Sequence, residues 1–79
     1  MEKRILDSLL RIFNRQFLIH INQLSERHNF SRDLGMNELE RMEMLYYVEN
    51  EFHINIDDRE VKKISTVADL ITTVQKYAQ

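Results

Sequence analysis

The sequence predicts an all-α fold: a four-helix bundle with a long loop after the first helix and a short third helix. Three observations lead there. Apolar residues recur at helical spacing in the first and last thirds of the chain. Proline is absent and there is a single glycine, Gly35, too little turn punctuation for a strand-rich fold. Helix-start signals, Asn37 with Glu40, Asp57 with Glu60 and Thr66 with Asp69, each precede an apolar stretch.

The first helix is predicted over about residues 3–17, because Ile5, Leu6, Leu9, Leu10, Ile12, Phe13 and Phe17 fall on one face while Arg4, Arg11, Asn14 and Arg15 fall away from its centre. From Leu18 to Asn37 the period weakens, and a long ordered connection is expected, with a short helical turn near Asn22–His28. Leu24, Phe30 and Leu34 are its candidate anchors, and Gly35 suits a positive-φ turn. Asn37 caps the second helix, with Glu40 placed to reach back to the cap amide and both Glu38 and Glu40 favouring the positive end of the helix dipole. Leu39, Met42, Leu45 or Tyr46, Val48 or Glu49, and Phe52 give this helix a broad apolar period that ends near His53. Ile54 and Ile56 then alternate with Asn55, as in an extended connector with both isoleucines inward. Asp57 or Asp58 starts the short third helix, where Val61 and Ile64 share a face, and Thr66 starts the last, with Val67, Leu70, Ile71, Val74 and Tyr77 as its buried stripe.

Composition bounds the function. At 79 residues the chain makes one domain, 1–79, and so small a domain buries only about 60% of its unfolded surface. Cysteine is absent, which removes disulfides, thiolate metal sites and cysteine nucleophiles together. Eleven basic against 13 acidic residues give a net charge of −2, without the basic excess of a dedicated nucleic-acid binder. No apolar run is long enough to span a membrane, and the N-terminus lacks a signal-peptide core, so a cytoplasmic location is expected. His20, His28 and His53 share no metal-ligand spacing, and no nucleophile–base–acid set can be read, so no metal and no catalysis are expected.

Three blocks in order carry a family resemblance. Asp33-Leu34-Gly35-Met36-Asn37-Glu38-Leu39 resembles the Asp-Leu-Gly-x-Asp-Ser-Leu motif of acyl carrier proteins. Glu51-Phe52-His53-Ile54-Asn55-Ile56 is similar to the Glu-Phe-x-Ile-x-Ile run that ends their second helix, and Ile64-Ser65-Thr66-Val67-Ala68-Asp69-Leu70 to the entry of their last. Phe30 also matches, and the likeness covers residues 30–78 well and residues 1–29 by length and helix pattern. The resemblance implies a bundle that presents a 4′-phosphopantetheine arm on a serine at the start of the second helix, carries acyl groups on it as thioesters, and meets partner enzymes through an acidic face of that helix.

Glu38 stands where the resemblance expects that serine. Attachment needs an alcohol oxygen to attack a phosphate of coenzyme A, giving a stable phosphodiester. A carboxylate is a weaker nucleophile, and its product would be a labile mixed anhydride. Glu38 is therefore expected to stay unmodified, with no cofactor, unless a serine is native at position 38. Ser31, Ser25 and Ser65 do not begin a helix in the right frame. Glu38 reads either as a good first-turn residue, worth about 0.3–1 kcal/mol to the helix, or as a charge that imitates the phosphate of a loaded carrier. By matched position Asn37, Leu39, Glu40, Met42, Glu43, Tyr46 and Glu49 form the partner-binding side, with Glu40, Glu43 and Glu49 as a negative stripe that Arg41 dilutes. Tyr46 and Tyr47 point apart, one packed and one near the surface, and Met36, Met42 and Met44 read as flexible core filler. The expected protein is an arm-less, monomeric, carrier-like module that docks acyl-processing or synthase enzymes or a regulatory partner. A working fatty-acid, polyketide or peptide carrier whose serine is replaced here, and a generic helical interaction domain, are the alternatives.

Overall fold

A computed structural model describes residues 2–78, and its helices form where apolar spacing and caps place them. They are α1 (Glu2–Gln16), α2 (Glu38–Phe52), the four-residue α3 (Asp58–Val61) and α4 (Val67–Tyr77), with no strand among the described residues. α1 packs against both α2 and α4. Ile5, Leu9, Ile12 and Phe13 of α1 meet Met44, Leu45, Val48 and Phe52 of α2 and Val67, Leu70, Ile71 and Val74 of α4 in one core. Ser8 is buried among them and accepts a hydrogen bond from Arg11. The Arg4 guanidinium lies over the Phe52 ring at 5.0 Å, which ties the start of α1 to the end of α2.

The long connection is held by its own hydrogen bonds and one deep anchor. Phe30 is fully buried and meets Phe13 edge-on, ring centroids 6.4 Å apart; Leu24 and Leu34 pack only partly against the core. The Asn29 side chain accepts from the Ser31 and Arg32 amides, and Asp33 accepts from the Asn29 amide at 2.7 Å. Gly35, at φ 69, turns the chain into α2 in a region that other residues enter at a cost. The expected helical turn at Asn22–His28 does not form. The chain makes only a tight turn at Glu26–Arg27, because the segment's backbone serves α4 instead: the Val67 and Ala68 amides donate to His28 and Glu26 carbonyls. Phe30 in turn donates to Ser65, and Asn29 forms a lone bridge with Thr66.

The Thr66–Asp69 capping box forms as expected. Glu60 does not complete one with Asp57. The Asp57 amide instead donates to the Tyr77 hydroxyl at 3.1 Å, while Glu60 accepts from Tyr77 and from Lys76 at 2.7 Å. A third helix too short to stabilise itself is thereby tied to the end of α4.

Asp69 joins these elements, since its carboxylate accepts from the Ser65 and Thr66 amides, each at 3.0 Å. Burial raises its pKa, but those amides and the Thr66 and Ser65 hydroxyls outweigh it, and the net shift is downward. A depressed carboxyl contributes stability that is present above its ordinary 3.8 and is lost as pH falls through the folded value. Asp69→Asn is expected to cost about 1 kcal/mol near neutral pH. Thermal melts of both chains should show that gap closing as pH drops below the ordinary carboxylate range; a gap independent of pH would contradict the assignment.

Candidate functional site

The head of α2 is fixed before any side chain acts. Asn37 sits in extended backbone (φ −81, ψ 177), and its side chain accepts from the Glu40 amide at 2.7 Å. Glu40 returns the bond by accepting from the Asn37 amide at 3.0 Å. Just upstream Met36 is buried and its amide donates to Phe30. Glu38 is thus the first residue of α2, with a side chain that is 74% exposed.

The partner of Glu38 is Arg41, one turn on, whose guanidinium donates to its carboxylate. Arg41 is itself only 12% exposed. Its Nη1 donates to the Val61 carbonyl at 2.8 Å and the Ile64 carbonyl at 2.9 Å. Val61 ends α3, where carbonyls lack intrahelical partners, and Ile64 lies in the connection to α4. One guanidinium therefore joins the start of α2 to the α3–α4 junction and spends its outer nitrogen on Glu38. A cleft of about 320 Å³ opens beside this corner, walled by Ser31, Asn37, Glu38, Arg41, Lys62 and Ser65 among others. Sequence separation makes Ser65 look remote from the motif; the fold brings it, with Ser31, to the same cleft. The Ser65 hydroxyl donates to Asp69 at 3.2 Å, and neither serine heads a helix.

α2 divides its residues differently from the sequence period. Leu45, Val48 and Phe52 are buried as expected, together with Met44, but Leu39, Met42 and Tyr46 are exposed. The Arg41 anchor turns the 41–44–45–48 stripe inward, so Leu39 and Met42 cannot share it. Met36 and Met44 are core residues; Met42 is not. Tyr47 packs edge-on against Phe17, and Tyr46 stays at the surface. The negative stripe also thins. Glu40 is engaged in the capping box, and Glu49 accepts from the Ile56 amide at 2.7 Å, so of the three only Glu43 is directed at nothing among the described residues.

A family model described as a phosphopantetheine attachment site matches residues 7–74 of the chain. The chain belongs to this carrier-protein family. The acyl carrier protein of Wolinella succinogenes is 30% identical over 71 residues, covering 90% of this chain and 93% of that one. That of Chlorobium phaeobacteroides is 32% identical over 75 residues, covering 95% and 96%. Among solved structures, the acyl carrier protein of Thermotoga maritima superposes with a TM-score of 0.89 at 26% identity, covering 96% of this chain and 88% of that one.

A carrier needs a hydroxyl to hold the prosthetic group. The donor set at the head of this carrier-family chain's α2 is a carboxylate already paired with a guanidinium, and it does not fit the group. Arg41 is the residue that sequence reasoning missed: it counted only as a charge diluting an acidic face. Its signal was a lone arginine three residues after Glu38, at pairing distance on a helix. Arg41→Ala removes two charged hydrogen bonds to backbone carbonyls and is expected to destabilise the fold by about 2–4 kcal/mol in chemical denaturation. Arg41→Lys should recover only part of this, because an ammonium lacks the planar fork that reaches three acceptors. A loss below about 0.5 kcal/mol for the alanine variant would contradict the anchor.

Proposed function

We propose that this member of the carrier family is a non-catalytic module that bears no 4′-phosphopantetheine at the head of α2 and docks acyl-processing or synthase enzymes, or a regulatory partner, through the exposed side of α2. The observation that carries the reading is the Glu38–Arg41 pair: the residue at the expected attachment position is built into the fold as a counter-ion. Asn37, Leu39, Glu40, Met42, Glu43, Tyr46 and Glu49 remain the proposed partner side, with Leu39, Met42, Glu43 and Tyr46 presenting their side chains to solvent. Docking takes place in the cytoplasm between a monomer of this chain and protein partners, without nucleic acid or membrane. No helix among the described residues is long and apolar enough to cross a membrane.

The family match favours a second reading, a working carrier in which a serine belongs at position 38. A serine codon at that position in the encoding gene would select it. The long loop between α1 and α2 and the family match leave no support for a generic helical domain.

Intact mass after incubation with coenzyme A and a broad-range phosphopantetheinyl transferase separates the first two readings. The chain as it stands is expected to keep its mass, and Glu38→Ser to gain about 340 Da, the mass of the arm. A gain on the unaltered chain would overturn the arm-less reading, and fragment masses would then distinguish Ser31 from Ser65. A folded Glu38→Ser chain that gains nothing would overturn the equivalence of position 38 with the attachment serine.

A further inference from the structure

α2 carries five glutamates, and their partners decide what a docking protein meets. Glu38 is paired with Arg41, and Glu51 with Arg11 at 3.6 Å. Glu40 and Glu49 keep their charge but turn their carboxylates to the amides of Asn37 and Ile56, at the flanks of the helix. Glu43 alone has no hydrogen-bond or ion-pair partner among the described residues. On the arc opposite the buried stripe lie Leu39, Met42 and Tyr46, exposed by 69%, 45% and 61%. Their i, i+3, i+7 spacing is that of the anchors an amphipathic helix lays into an apolar groove.

Tyr46 is also pre-positioned. Its ring meets Tyr47 edge-on at 6.1 Å, and Tyr47 meets Phe17 at the same distance. An aromatic series that ends at Phe17, just past α1, thus holds the most distal anchor, which reduces the entropy lost when a partner covers it.

We infer that α2 is read by apolar rather than ionic contact, by a partner protein that presents a concave, weakly charged groove with pockets for Leu39, Met42 and Tyr46. This rests on the docking reading above and specifies the partner's chemistry. Charge complementarity and reach make the choice: of the three α2 carboxylates without a counter-ion, Glu40 and Glu49 are held by backbone amides at the flanks, so a basic surface would find only Glu43 free to pair beside three apolar side chains. A second copy of this chain fits less well. It offers the same convex face, and two convex helices meeting through three side chains fall short of the ~800 Å² per partner of a standard interface.

The test places p-benzoylphenylalanine at position 46, and separately at exposed Arg59, in the full chain, and irradiates each in lysate of cells that naturally make the protein. The cross-linked protein is identified by mass spectrometry, purified and titrated against the chain. Its Kd is expected to change less than about threefold between low and high salt, where ionic contacts would be screened. Glu43→Gln should leave it equally unmoved, whereas Leu39→Asp and Met42→Asp, both at exposed positions, should each weaken it more than about tenfold. Weakening by salt or by Glu43→Gln of more than about tenfold would overturn the apolar reading while leaving docking through α2 intact. A cross-link from position 59 and none from 46 would overturn docking through α2 itself. A cross-linked homodimer would replace the partner by a second copy.

Discussion

The guanidinium of Arg41 is the constraint on which the functional corner of this molecule depends. Three helices converge where it sits: α2 supplies the side chain, α3 ends at one of its acceptors, and α4 begins three residues beyond the other. A buried cation needs full pairing, because an uncompensated charge out of water costs several kcal/mol. Two carbonyls satisfy its hydrogen-bonding reach but carry no net charge. Glu38 supplies the counter-charge from the one direction left open, the solvent side of the helix start. An acid there is also favoured by the helix dipole. Glu38, the residue proposed to stand at the attachment position, therefore serves two local electrostatic needs, and neither is served by a hydroxyl.

The same corner explains the face that α2 turns outward. Drawing Arg41 inward sets the rotation of the helix, so that Met44, Leu45 and Val48 follow it into the core and Leu39, Met42 and Tyr46 are left in solvent. The capping box then takes Glu40, and the turn after α2 takes Glu49. A helix whose composition reads as acidic thus also exposes Leu39, Met42 and Tyr46, beside Glu38, Glu43, Asn50 and Glu51. Opposite it, the long connection is held by Phe30 in the core and by amides of α4 that reach back to His28 and Glu26. That ties the first loop to the core and to α4 on one side of the cleft beside Glu38.

Much of this was legible in the sequence, for physical reasons that differ by element. α1 and α4 could be read because each has one apolar stripe against a polar remainder, and Thr66–Asp69 because a capping box is a local event. Gly35 was legible because few residues adopt φ 69. α2 was harder: it is apolar on both sides, so periodicity identifies the helix but not which face is buried. Glu60 was misread since its spacing from Asp57 is right, yet Lys76 and Tyr77 compete for it across space. Arg41's acceptors lie 20 and 23 residues away along the chain, and Ser65 enters the cleft from as far, so neither could be placed by local pattern.

The central claim is that Glu38 serves the fold through Arg41. A double-mutant cycle on Glu38→Gln and Arg41→Met, followed by chemical denaturation at low and high salt, tests it most directly. The account predicts a favourable coupling of about 0.3–1 kcal/mol at low salt, the range for a largely solvent-facing pair, diminished at high salt. Strictly additive effects at low salt, with Glu38→Gln as stable as the unaltered chain, would contradict it.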